Sequence, residues 1–222
     1  MTDTAPKLPT PTLMLVTDRR LAGGGDALVR AVAEAVEGGV NVVQLREKDL
    51  PPAELLPLAC RLREVTAGRA LLLVNGPPDL ALEAGADGVH LPEAAEPPRP
   101  PWTYTWGRSV HSEIAAVHAM CEAARYLVVG PLYGTVSHSG ATPLGPGIVR
   151  ALAPISRVPI IGIGGITAKN AADVMRAGAS GVAVISAILG AESPAEASKS
   201  LCEAVGGAWR SVFGRFPPEM TT

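Results

Sequence analysis

The stretch VPIIGIGGIT (158–167), with AGASGVAVISAI (177–188) behind it, decides the fold. VPIIGIG (158–164) is a short, unbroken apolar run. Such a run suits a strand covered on both faces, as in a parallel sheet. From Thr167 to Ala177 the apolar positions recur at helical spacing, and Gly178 stops the pattern, so a helix is predicted over 167–177. GVAVIS (181–186) then repeats the first kind of run. Strand, crossover helix and strand make one βαβ unit.

Outward from this unit the same alternation fills the chain. The other apolar runs are LMLVT (13–17), VNVVQL (40–45), LLLV (71–74), GVHL (88–91), YTWGRSV (104–110) and YLVVG (126–130). Helical spacing appears over 26–38, with Asp26 as N-cap and Gly38-Gly39 as stop, and over 53–66, up to Gly68. It appears again over 112–124, from Ser112, and over 194–208, with Pro194 near the start. Eight strand-like runs joined by crossovers predict an α/β fold closed as a single (β/α)8 TIM barrel, rather than an open doubly wound sheet. Residues 92–103, PEAAEPPRPPWT, are too proline-rich for a full helix, so one crossover is expected to be irregular. The expected divisions are a disordered lead-in over 1–12, the barrel over 13–210 and a C-terminal tail over 211–222.

Composition narrows the function classes. Hydrophobic residues are 47% of 222, enough for a sizeable core, and the formal net charge is −2. Nothing in that balance points to a nucleic acid or a membrane surface as partner. No apolar run approaches the roughly 20 residues needed to span a bilayer. MTDTAPKLPTPT, at the N-terminus, has no apolar signal core. Cys60, Cys121 and Cys202 are scattered and form neither a metal spacing nor a disulfide framework. A cytoplasmic protein is the simplest expectation, with Cys60 and Cys121 buried as small hydrophobes.

Functional groups of such barrels cluster at the C-terminal ends of the strands. Those positions hold Gln44, Arg46 and Lys48 after the second run, Asn75-Gly76 after the third, and His90 and Glu93 at the fourth. Ser109 and His111 end the fifth, GPLYGTVSHSGATPLGPG (130–147) follows the sixth, Gly164-Gly165 the seventh, and Ile185-Ser186 the eighth. GIGGIT (162–167) ends a strand and opens a helix. Its glycines let backbone N–H groups approach an anion, and a helix N-terminus adds partial positive charge. With Ile185 and Ser186 it reads as a phosphate cup; the plainer reading is a tight turn. It lacks the G-x-G-x-x-G spacing of a dinucleotide site.

Arg46 and Lys48 share a face with Gln44. They are expected to draw an anionic substrate into the mouth; the alternative is a solvated rim paired with Glu47 and Asp49. His111, two residues after Ser109, can carry a proton near neutrality, although a lone histidine of this kind is more often structural. His118 is helical, His90 is expected to face the mouth, and His138 lies in a Gly/Ser-rich loop. Trp102, Tyr104 and Trp106 alternate as in strand packing, and Arg19-Arg20 read as rim charge.

Along nearly its whole length the chain resembles the thiamine phosphate synthase superfamily. The matching segments are LVTD (15–18), VVQLREKD (42–49), GADGVHL (85–91), GPLYGT (130–135), PIIGIGGIT (159–167) and AGASGVAVISAI (177–188). That superfamily holds two activities. The synthase joins a pyrimidine pyrophosphate to a thiazole phosphate with magnesium; the thiazole tautomerase aromatises a carboxythiazole ethyl phosphate by a proton shift. The synthase pattern has Asn-Asp where this chain has Asn75-Gly76, and Gln-Glu-Asp where it has Glu93-Ala94-Ala95. Its Thr-x-Thr-Lys loop stands here as Thr135-Val136-Ser137-His138. LVNGPPDLA (73–81), VHLP (89–92) and GRSVHS (107–112) resemble the tautomerase, whereas Gln44, Arg46 and Lys48 are synthase-like.

The resemblance, weighed on the missing aspartates, implies a tautomerase-like isomerase in thiamine biosynthesis. His111 would be its acid/base. Gly164, Gly165, Ile185 and Ser186 would hold the phosphate. Arg46, Lys48, Asn75, Ser109, Thr135 and Ser137 would contact a small phosphorylated thiazole. No cofactor and no metal are expected, with Mg2+ reserved for the alternative, a synthase with a degenerate metal site. A non-catalytic thiazole or thiamine phosphate-binding protein is a third reading, and a homodimer is compatible with all three.

Overall fold

The computed structural model describes residues 5–99, 104–135, 140 and 142–214. Eight parallel strands close a barrel: β1 (Thr12–Val16), β2 (Val42–Leu45), β3 (Leu71–Val74), β4 (Gly88–Leu91), β5 (Thr105–Val110), β6 (Leu127–Val129), β7 (Ile160–Ile163) and β8 (Gly181–Val184). Each strand pairs with its neighbours in sequence, and β8 closes onto β1 with Thr12 opposite Gly181. A Cβ at Gly181 would overlap the Thr12 carbonyl, so only glycine permits that closing contact.

Around the barrel lie α1 (Arg19–Ala22), α2 (Gly25–Glu37), α3 (Pro52–Thr66), α4 (Pro78–Glu83), α5 (Glu113–Cys121), α6 (Gly147–Leu152), α7 (Ala171–Arg176), α8 (Ser186–Leu189) and α9 (Pro194–Phe213). No helix lies between β4 and β5 among the described residues, as the proline-rich crossover required. Two apolar clusters form. The larger sits between strands and helices and includes Leu28, Val43, Leu62, Leu72 and Val174. The smaller fills the barrel interior with Met14, Val16, Val42, Leu73, Tyr126, Val128, Ile161 and Ala183. No helix among the described residues is long and apolar enough to cross a membrane.

Several expectations need correction. Residues 5–11 are not a free lead-in: Leu8 is buried in the interior cluster, and the Pro6 carbonyl accepts a hydrogen bond from Thr105 Oγ1. The segment covers the N-terminal end of the barrel, where the small core leaves Leu8 an apolar seat. α9 runs on to Phe213, past the expected boundary at 210. All three cysteines are exposed. The buried stripe of α3 is Leu55, Leu58, Ala59, Leu62 and Thr66, and Cys60 lies about 100° around the helix from Ala59. Cys121 ends α5, beyond its buried Ala116 and Ala119.

α7 begins at Ala171, not Thr167. Asn170 intervenes: its Oδ1 accepts from the Thr167 amide at 2.8 Å, and its Nδ2 donates to the Gly165 carbonyl at 3.0 Å. The side chain thus holds 165–170 as a turn that competes with helix at this point.

Candidate active site at the mouth of the barrel

The strand ends surround a cavity of about 500 Å3. Gln44, Arg46, Lys48, Asn75, His90, Glu93, Ser109, His111, Thr135, Gly164, Gly165, Ile185 and Ser186 all line it. Every site residue expected from the sequence is therefore in one place, apart from Ser137, which lies outside the described residues with His138 and Trp102.

Two sectors of the wall suit anions. The first is the end of β2. Glu47 and Asp49 do not pair with Arg46 and Lys48 as the solvated-rim reading required. Buried Glu47 accepts from Thr17 Oγ1 at 2.7 Å, from the Arg19 amide at 3.0 Å and from Arg19 Nη1 at 3.2 Å. Asp49 takes Arg19 in a bidentate pair, both bonds 2.7 Å, and Arg20 at 2.7 Å. Those bonds hold the Asp49 carboxyl far below the usual range and raise the Arg19 guanidinium. With the acids engaged from the far side by the arginines after β1, neither Arg46 nor Lys48 has an ion-pair partner among the described residues. Arg46 sits close enough to lower the Lys48 ammonium, with partial burial adding to the effect. Two mutually repelling cations in one wall are relieved by an anion between them.

The second sector joins the ends of β7 and β8. The amides of Gly165, Ile166, Ser186 and Ala187 donate to no acceptor among the described residues. They line the same cavity beside the Ser186 side chain. Gly164 and Gly165 have φ of +98° and +63°, which favour glycine. The tight-turn reading also holds: a Cβ on Gly164 would crowd Pro131, and one on Gly165 would overlap the Gly134 carbonyl. Each glycine is needed for packing, and the same packing sets both beside the cavity.

Between these sectors lie the two histidines. His111 is half exposed and bonded to Glu93: Oε2 takes the His111 amide at 2.7 Å and Nδ1 at 2.8 Å. His90 is buried. Its Nδ1 lies 3.0 Å from the Tyr126 hydroxyl and its Nε2 lies 2.8 Å from Ser109 Oγ. Burial, with Arg46 adding, pushes the His90 imidazole down to about 3, so it stays neutral. Tyr126, wholly buried, is pushed up by burial alone.

Sequence reasoning flagged His90 without a role and passed over Tyr126. The usable signal was register, since His90 pairs with Gly107, two residues before Ser109 on the neighbouring strand. Gln44 also faces the cavity, its amide nitrogen meeting only Met14 Sδ at 3.9 Å among the described residues. His118 is surface, 3.8 Å from Glu122. Trp106 is buried strand packing and Tyr104 is exposed.

The cations at the end of β2 and the amides at the ends of β7 and β8 thus give this mouth two sectors suited to anionic groups. Residues 13–188 match the model of the thiamine monophosphate synthase family, and the chain belongs to that family. It is 40% identical over 203 residues to the thiamine-phosphate synthase of Methanoculleus marisnigri, covering 88% of this chain and 96% of that one. It is also 40% identical over 197 residues to the putative thiamine-phosphate synthase of Geobacter sulfurreducens, at 86% and 92% coverage. The thiamine phosphate pyrophosphorylase of Pyrococcus furiosus superposes with a TM-score of 0.81 at 34% identity, covering 89% of this chain and 96% of that one.

These relatives overturn the tautomerase assignment. Relatives at this identity over nearly the whole chain are named for the synthase, so the isomerase reading and His111 as a proton shuttle on a thiazole are set aside. The two missing aspartates had been weighed above the synthase-like Gln44, Arg46 and Lys48.

The synthase resemblance implies magnesium at this wall. A hard divalent cation wants several oxygen ligands. Glu93 is the single carboxylate lining the cavity among the described residues, and its Oε2 is taken up by His111. No group of three acidic, histidine or cysteine residues fit to hold a metal occurs among the described residues. Gly76 and Ala95 bring no side-chain oxygen. The described residues do not fit the ion.

Proposed function

We propose that this chain is a thiamine-phosphate synthase, a transferase joining a pyrimidine pyrophosphate to a thiazole phosphate. The bond between the pyrimidine's methylene and pyrophosphate breaks, a bond to the thiazole forms, and pyrophosphate leaves. The observation that carries this reading is the pair of separate anion grips in one cavity, on a chain about 40% identical to named synthases. Each substrate brings one anionic arm, and each arm has a matching sector.

Arg46 and Lys48 take the pyrophosphate and balance its charge as it departs, a duty that falls to side chains in this wall. The amides of Gly165, Ile166, Ser186 and Ala187, with the Ser186 hydroxyl, take the thiazole phosphate. Gly164 and Ile185 shape that cup. Asn75, Ser109 and Thr135 orient the rings, and His111, braced by Glu93, contacts substrate at the rim.

Incubation with both substrates tests the reading. Thiamine phosphate is expected over many turnovers, and its absence in folded protein that still binds inorganic phosphate would overturn it. Added chelator is expected to leave the rate little changed; abolished turnover would return the pyrophosphate's charge to a metal.

A further inference from the structure

Tyr126 lies outside the cavity wall and has no part in the proposed chemistry. It is nevertheless placed with care. The hydroxyl reaches His90 Nδ1 inside the barrel, and the ring occupies space that only a glycine leaves open, because a Cβ on Gly107 would overlap it. The bond directions follow from counting protons. The phenol is protonated, since burial opposes the phenolate. Its one polar neighbour among the described residues is Nδ1. If Nδ1 carried the imidazole proton, the phenol proton would be buried with no acceptor, an unfavourable arrangement. So the phenol donates to Nδ1. His90 is neutral, so its single proton is on Nε2 and is donated to Ser109 Oγ. Ser109 has no other partner among the described residues, and it faces the cavity.

We infer that Tyr126 is a positioning residue that acts through His90 to bias Ser109 toward donating its hydroxyl proton to the substrate. Nε2–H engages one of the hydroxyl's two lone pairs, and the hydroxyl proton, which Nε2 cannot accept, is left to be donated into the mouth. The subsite then favours a ring nitrogen or an oxygen with a free lone pair over an N–H group at the same place. Selectivity between heterocycles of equal shape would follow from an atom buried two bonds of the relay away. The consequence for substrate rests on the synthase reading; the proton arrangement does not.

The test uses full-length protein with 15N-labelled histidine. Long-range 1H–15N NMR is expected to give His90 as the Nε2–H tautomer in the wild type at neutral pH. Tyr126→Phe removes one oxygen and leaves the ring, so the fold is kept. The variant is expected to lose the hydrogen-bonded Nδ1 signature. Its KM for the pyrimidine or the thiazole substrate should rise roughly three- to tenfold, the effect of one hydrogen bond, with inorganic phosphate affinity unchanged. An Nδ1–H tautomer in the wild type would overturn the inference. So would a Tyr126→Phe protein whose His90 signals and KM values both match the wild type. A wild type without turnover would sink the synthase reading alone, and the tautomer would still decide this one.

Discussion

The rims after β2 and after β4–β5 carry similar residue types and use them in opposite ways. After β2, the acids are drawn off by Arg19 and Arg20, so Arg46 and Lys48 line the cavity without ion-pair partners among the described residues. After β4–β5, acid and base meet: Glu93 holds His111 by two bonds, and His90 is held between Tyr126 and Ser109. Unpaired charge is costly, and a folded chain keeps it where a ligand will meet it. Satisfied groups fix geometry. On the proposed reading the β2 rim supplies affinity for an anion, and the β4–β5 rim supplies placement.

Breaking the β2 side should cost most. Arg46→Met removes a cation that has no ion-pair partner among the described residues, so the protein should fold normally. The account expects kcat/KM to fall by about 10²–10³-fold, the loss of one or two charge-assisted bonds at roughly 1.5–3 kcal/mol each. Steady-state kinetics alongside a thermal melt would check it, and a fall of only a few-fold would remove the contrast between the rims.

Glu47→Ala strikes what frees those cations. It leaves Thr17, the Arg19 amide and the Arg19 guanidinium without their buried acceptor. A loss of about 2–3 kcal/mol is expected. For a chain of this size that is a Tm lower by roughly 4–12 °C, readable by calorimetry.

On the β4–β5 side, His90 sets a pH dependence. Its folded-state value, about 3, lies below the ordinary 6.5. The unfolded chain therefore takes up the proton first as pH falls. The stability from neutral His90 is fully present above about pH 6.5 and is lost progressively between there and about pH 3. The slope from this group is at most about 1.4 kcal/mol per pH unit. Denaturant unfolding at pH 7, 6, 5 and 4 should show a flatter decline for His90→Gln than for the wild type. Parallel declines would mean His90 is not held neutral.

The smallest effect belongs to the exposed thiols. Cys60→Ser should change stability by no more than about 0.5 kcal/mol, and a native-state thiol reagent should label it readily. A destabilisation of several kcal/mol would restore the buried position expected from the sequence.

The barrel was legible because buried parallel strands carry continuous apolar runs, and VPIIGIG and GVAVIS bound a crossover with little ambiguity. Helix ends were less so. At Thr167 a good starting residue was overruled by Asn170, a contact spacing alone does not reveal. The site's positions were legible through the strand-end rule, which brought Arg46, Asn75, Ser109, His111 and Ser186 to one cavity. Their chemistry was less legible. That Glu47 and Asp49 turn toward Arg19 and Arg20 depends on α1 lying beside the end of β2. That Tyr126 stands behind His90 depends on the barrel's closure. The activity was misread where two missing aspartates outweighed the intact cationic rim.

The central claim is that this mouth joins two anionic substrates. The most direct measurement is a count of thiamine phosphate formed and pyrophosphate released by the wild type from the same mixture of pyrimidine pyrophosphate and thiazole phosphate. The account predicts equal amounts of both, accumulating well beyond the amount of enzyme, and little of either from Arg46→Met. Pyrophosphate without thiamine phosphate, or neither product from well-folded wild type, would contradict it.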